Sequence, residues 1–156
     1  KIMKTQGMES VFESDTYTYP GFNFKLPDVL AAIGLGQLER LDEKIEHMKE
    51  IDDMYQSGLS QVEGISFLAR KENEFLWMTD ILCENRDKVR AVLKENGVIS
   101  RPLGAPLHTA PFLHMSGNYE DSVEMQKKLL YLPSGPDQDL KNIEYVIQVL
   151  KTHDVR

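Results

Sequence analysis

Residues 21–59 read GFNFKLPDVLAAIGLGQLERLDEKIEHMKEIDDMYQSGL, and their periodicity sets the architecture. Leu38, Leu41, Ile45, Met48, Ile51, Tyr55 and Leu59 step by three or four residues, an apolar stripe on one face of a helix. Pro27 suits the first helical position, where a missing N–H is no loss, and Asp28 favours the positive helix end. The spacing predicts one helix over 27–59, a rod of roughly 50 Å at 1.5 Å per residue. A helix that long outruns a small domain, so one end is expected to pack on another domain or subunit. Its first third, Ala31-Ala32-Ile33-Gly34-Leu35-Gly36, is small and apolar nearly all round. Each glycine inside a helix costs about 1 kcal/mol against alanine, and close backbone approach is the natural compensation. Gly34-Leu35-Gly36 is not a dinucleotide fingerprint, because position 39 holds glutamate and the segment sits inside a helix rather than after a strand. Glu39, Arg40, Asp42, Glu43, Lys44, Glu46 and Lys49 read as a solvated face with i,i+4 pairs.

Beyond this helix, Gly64 opens a region of alternating element types. Residues 65–68 and 75–83 read as strands joined across the charged turn 70–74. Arg86–Glu95 reads as a helix stopped by Asn96-Gly97, and 98–100 as a short strand. Residues 121–128 are helical, 129–132 a strand, 133–136 a turn, and Leu140–Thr152 a closing helix. Strands interleaved with helices, plus one long helix, describe a small α/β sandwich. Between them, residues 101–118 carry three prolines, two glycines and one formal charge, Arg101. Leu103, Leu107, Phe112, Leu113 and Met115 make that run too apolar for a disordered linker, and loops of such length are often functional.

The 156 residues match one ordinary domain, or a small domain with an arm, and a chain of this size needs no disulfide or metal staple. With 18 Lys and Arg against 25 Asp and Glu, the net charge is −7. That acidic balance argues against non-specific binding to nucleic acid or anionic membranes. The longest nearly apolar stretch, 29–38, is too short to span a bilayer, and the default compartment is the cytoplasm. The single cysteine, Cys83, excludes an internal disulfide. It closes an apolar stretch beside Leu82, where a thiol is usually inert core. His47, His108, His114 and His153 show no His-x3-His spacing, so no metal centre is expected. The chain opens Lys1-Ile2-Met3-Lys4, and residues 11–24 look like the tail of something; an excised C-terminal portion of a longer protein is expected, with a processed or tagged terminus as the alternative.

Three places carry candidate chemistry. Asn23 and Lys25 stand two residues apart, so in an extended segment an amide N–H2 and an ammonium point the same way and suit a phosphate or carboxylate. Asn23 taken alone is equally a turn residue. Arg101 can grip phosphate or carboxylate bidentately, or stand in a surface salt bridge. His108 follows Pro106-Leu107 in the same loop, where a histidine is either passive or a ligand contact.

The stretch from Gly21 to Leu41 resembles the segment G-[YF]-N-[YF]-[RK]-x-x-[DE]-x-x-A-A-x-G-x-x-Q-L-x-x-[LI] of the DegT/DnrJ/StrS-type sugar aminotransferases. Gly97-Val98-Ile99-Ser100-Arg101-Pro102, Pro106-Leu107-His108 and Leu132-Pro133-Ser134-Gly135-Pro136 follow in the order that family shows. The resemblance runs from about Gly7 onward, and the later wording is similar to the branch that aminates UDP-4-keto sugars. It implies the aspartate-aminotransferase (type I) fold and the cofactor pyridoxal 5'-phosphate. Residues 1–25 would be the tail of a large domain, and 26–156 the small C-terminal domain. The implied reaction moves an amino group from glutamate to a 4-keto nucleotide sugar in a homodimer. By the same resemblance, Asn23 reaches a neighbouring subunit's cofactor phosphate. Lys25 stands where the family usually has arginine, which weakens any bidentate grip. His108, and less directly Arg101, would touch the sugar nucleotide. The lysine that carries the cofactor lies upstream in the family, so no catalytic residue is expected in this chain, which alone should be inactive. Two rivals stand beside this reading: a sugar dehydratase of the same family, with histidine at the lysine position, and a non-catalytic dimerisation module built on the long helix.

Overall fold

The computed structural model describes residues 22, 26–71, 77–110 and 116–156. The chain divides into two units, Lys1–Asp42 and Glu43–Arg156. Within the first, the described structure is dominated by α1, Asp28–Leu38. Pro27 is its cap rather than its first turn, with φ −62° and ψ 147°, and the Pro27 carbonyl accepts from the Ala31 amide at 3.0 Å. No residue of α1 is buried: Val29, Leu30, Ile33, Leu35 and Leu38 are all more than half exposed.

The single helix expected over 27–59 is two helices. Residues 39 and 40 form a turn, and α2 runs Leu41–Leu59. At the break the Arg40 amide donates to the Gln37 carbonyl at 3.3 Å, an i→i−3 bond in place of the helical i→i−4. Gly34 and Gly36 weaken the preceding turns, and an added Cβ at either would meet nothing within 4 Å. Among the described residues, the close approach that would compensate these glycines is not made. The apolar stripe is likewise buried only toward its end. Leu38 and Leu41 are exposed, Ile45 and Met48 half-buried, and Ile51, Tyr55 and Leu59 fully buried.

Four short strands form one antiparallel sheet: β1 Ile65–Ser66, β2 Asp80–Cys83, β3 Arg101–Pro102 and β4 Leu129–Tyr131, in the order β1-β2-β4-β3. The register places Ile65 opposite Cys83, Ile81 opposite Leu130, and Arg101 opposite Tyr131. Alternation along β2 sends Ile81 and Cys83 into the core while Asp80 and Leu82 stay half-buried. The first expected strand is shorter than its apolar pattern. The second begins at Asp80, and residues 72–76 lie outside the described ones. The strand expected at 98–100 falls instead at 101–102, because pairing with β4 starts at Arg101. Pro102 is tolerated there because β3 is an edge strand, where a missing amide donor breaks no ladder.

The remaining helices follow local signals. α3, Arg86–Glu95, starts with the Asn85 side chain accepting from the Lys88 amide at 3.2 Å. It ends in a Schellman arrangement. The Val98 amide donates to the Leu93 carbonyl at 2.8 Å, the Gly97 amide to Lys94 at 3.1 Å, and Gly97 sits at φ +74°. α4 is Glu120–Lys128, and α5, Leu140–Thr152, is capped by Asp139 through the Lys141 amide at 2.9 Å. α2, α3 and α5 contribute Ile51, Tyr55, Leu59, Val89, Leu93, Ile143, Val146, Val149 and Leu150 to one core with Ile81 and Leu130 of the sheet. Among the described residues, no helix is long and apolar enough to cross a membrane.

Candidate functional site

Asn23 and Lys25, the expected phosphate contacts, lie outside the described residues, as do Pro111–Met115 of the apolar loop. The other two candidates are placed. Arg101 is exposed on the edge strand β3, and its guanidinium makes no hydrogen bond or ion pair with a described residue. The surface salt bridge that would have explained it away is not formed among them. A charged fork held on a strand at a sheet edge is available to an anionic ligand.

His108 sits on a single 3-10 turn, Leu107–Thr109. Pro106 precedes the turn with its φ already set at −58°, and the Thr109 hydroxyl donates to the Pro106 carbonyl at 2.7 Å. The His108 ring is half-buried because it stacks on Tyr119, with ring centroids 4.6 Å apart and planes 19° from parallel. Together they border a cavity of about 400 Å3 whose other walls include Val123, Glu124 and Lys127. The Lys127 ammonium, donating to Glu124 at 3.0 Å, holds that carboxyl below the usual carboxylate range. Arg101 does not line this cavity. Arg101 stands on the edge strand and His108 on the 3-10 turn seven residues further along the chain.

Sequence reading missed the polar cluster that holds residues 132–134. Asp52 of α2, only 4% exposed, accepts from Gln56 at 2.7 Å, from the Thr79 hydroxyl at 3.0 Å and from Arg70 at 3.0 Å. Arg70 bridges on to Asp80 at 3.2 Å. The Thr79 amide donates to the Ser134 hydroxyl at 2.8 Å, and that hydroxyl donates to the Leu132 carbonyl at 3.0 Å. The Tyr55 hydroxyl donates to Pro133 at 2.9 Å, and His47 donates from Nε2 to the Gln138 carbonyl at 2.7 Å. The segment 132–138 is therefore tied to α2 and to the start of β2 by buried and part-buried hydrogen bonds, each worth about 1 kcal/mol net. The signal that could have found this cluster is Asp52 itself, a carboxylate standing beside Ile51 within the buried end of the stripe.

Cys83 lies in the core, where burial pushes its thiol up to about 12 against the opposing pull of Arg86. It has no place in nucleophilic chemistry. Among the described residues no group of three or more His, Cys, Asp or Glu side chains is arranged to hold a metal ion.

A sequence model of the DegT/DnrJ/EryC1/StrS aminotransferase family matches residues 1–151. The chain is 28% identical over 134 residues to the GDP-perosamine synthase of Escherichia coli O157:H7, covering 82% of this chain and 36% of that protein. It is 30% identical over 137 residues to the GDP-perosamine synthase of Vibrio cholerae, covering 78% of this chain and 36% of that protein. Among solved structures, the aminotransferase TlmJ from Streptoalloteichus hindustanus superposes with a TM-score of 0.86 at 24% identity, over 97% of this chain and 42% of that one. DesV of S. venezuelae superposes with a TM-score of 0.83 at 21% identity, over 97% and 42%. The fold is that of the type I pyridoxal-phosphate aminotransferases, as expected. The chain spans about two fifths of the length of these relatives. It belongs to the DegT/DnrJ/EryC1/StrS aminotransferase family.

Proposed function

From this membership we propose that the chain is the C-terminal part of a homodimeric enzyme moving an amino group from glutamate to a 4-keto nucleotide sugar. The observation that carries the reading is the motif from Gly21 to Leu41 within a family match spanning residues 1–151. Pyridoxal phosphate, when bound, supplies the electron sink for such a transfer. The donor set at Asn23 and Lys25, one amide N–H2 and one ammonium, fits the phosphate of that cofactor. Arg101 and His108 bind the sugar nucleotide, whose two phosphates need local cations on a chain of net charge −7. The exposed apolar side chains of α1 are the kind of surface that a further domain or a second subunit covers.

Half-reactions test the substrate assignment. In the full-length enzyme, Arg101→Ala and His108→Ala should each raise the apparent binding constant for the sugar nucleotide, Arg101→Ala by about tenfold or more for a lost charged hydrogen bond. The glutamate half-reaction, which needs only cofactor and donor, should be nearly unchanged. Equal damage to both halves would assign the two residues to folding or cofactor retention instead.

The dimer reading has its own test. Asn23→Ala should weaken cofactor retention about tenfold or more. Mixed with a variant lacking the upstream lysine, it should form hybrid dimers with one intact site and regain activity. A mixture no more active than its components would place Asn23 in its own subunit's site.

A further inference from the structure

We propose that Tyr119 is a positioning residue for the sugar-nucleotide site: its ring, seated over Gly117, stacks on His108 and sets the orientation of the imidazole. This rests on the assignment of His108 to substrate binding.

Three observations converge on it. His108 stands on a turn of only three residues, and its ring makes no hydrogen bond with any described residue. The stack on Tyr119 is therefore what restrains the ring among the described residues, and it leaves both ring nitrogens available to a ligand. Near-parallel offset rings at this separation attract through their quadrupoles, and a protonated imidazole over a phenol face gains further from cation–π attraction.

Tyr119 is itself held. It stands immediately before the first residue of α4, Glu120, and its hydroxyl donates to the Ser116 carbonyl at 3.3 Å. Its ring occupies the space that a side chain at position 117 would need. A Cβ on Gly117 would lie 2.9 Å from Tyr119 Cζ, 3.0 Å from its hydroxyl oxygen and 3.1 Å from Cε2. Glycine at 117 is thus what lets the tyrosine lie flat there. The Asn118 side chain accepts from the Glu120 amide at 3.1 Å, so the entry into α4 is fixed on the other side as well. The result is a chain of supports, from α4 through Tyr119 to His108, that anchors the turn at 107–109.

The test uses the full-length enzyme and a double-mutant cycle on the sugar-nucleotide KM. Tyr119→Leu should raise KM about three- to tenfold with kcat little changed, and Tyr119→Phe, which keeps the ring, should stay within about twofold of the parent. In a His108→Ala background, Tyr119→Leu should add nothing. In the full-length enzyme by NMR, the ring-current shift of the His108 imidazole protons should persist in Tyr119→Phe and vanish in Tyr119→Leu. A KM effect from His108→Ala without one from Tyr119→Leu would overturn the inference while leaving the His108 assignment intact, and so would additive effects of the two. No KM effect from His108→Ala would overturn the His108 assignment itself.

Discussion

Asp52→Ala should cost about 3 kcal/mol of folding stability, because it takes one of two carboxylate partners from a part-buried guanidinium. Arg70 is 17% exposed at the side chain and holds Asp52 and Asp80 together. Asp80 remains in the variant, which places the expected cost toward the lower end of the roughly 3–5 kcal/mol typical of broken buried pairs. The Thr79 hydroxyl and the Gln56 amide lose their acceptor at the same time. Against a total stability on the order of 5–15 kcal/mol, this is about a fifth to three fifths of what holds the fold. Urea denaturation of parent and variant measures it. Asp52→Asn should fall between them, since an amide oxygen still accepts from Thr79 but carries no charge. Adding Arg70→Met to Asp52→Ala should recover part of the loss, as the stranded cation is then removed. A midpoint shift worth less than about 1 kcal/mol in Asp52→Ala would show that water or rearrangement replaces the carboxylate.

Cys83 should react with a thiol reagent at pH 8 about a thousandfold more slowly in the folded chain than in urea. The ordinary value of 9.0 leaves a useful fraction of thiolate at that pH, whereas a thiol pushed up to about 12 leaves roughly one part in ten thousand. Steric exclusion acts in the same direction, since Cys83 is 1% exposed. The linkage has a definite sign. Because the folded state holds its proton more tightly, stability from Cys83 is fully present below about pH 9 and lost as pH rises toward about 12. Burial raises the Tyr55 phenol as well, so a second loss begins near its ordinary value of 10.0. Urea midpoints measured from pH 8 to pH 11 should fall. In Cys83→Ala the fall should begin about one pH unit later, where only Tyr55 contributes. Rapid labelling of Cys83 at native pH would show that β2 opens locally.

What can be read from residues alone here is what short-range chemistry decides. The bounds of α3 come from Asn85 at one end and Asn96-Gly97 at the other, and those of α5 from Asp139 and its apolar period. Each end is settled by groups within four residues. Membership in the family was equally legible, because the motif from Gly21 to Leu41 is a continuous string of residue types, and with it came the candidates Asn23, Lys25, Arg101 and His108.

The tertiary structure decided everything that depends on a distant neighbour. The periodic stripe of residues 27–59 could not show that Leu38 and Leu41 at its start are exposed while Ile51, Tyr55 and Leu59 are buried, nor that the helix breaks at 39–40. Burial is a property of what lies opposite. A run of β-favouring residues at 98–100 became a strand only where β4 offered it a ladder, at Arg101 and Pro102. Asp52 reads as one more acidic helix residue until Arg70 and Thr79, 18 and 27 residues away, close around it. His108 reads as a loop histidine until Tyr119, 11 residues further on, stacks on its ring. Local sequence sets where the backbone can turn and which face is apolar. Which polar groups are buried, paired and positioned follows from contacts between segments that no short window contains.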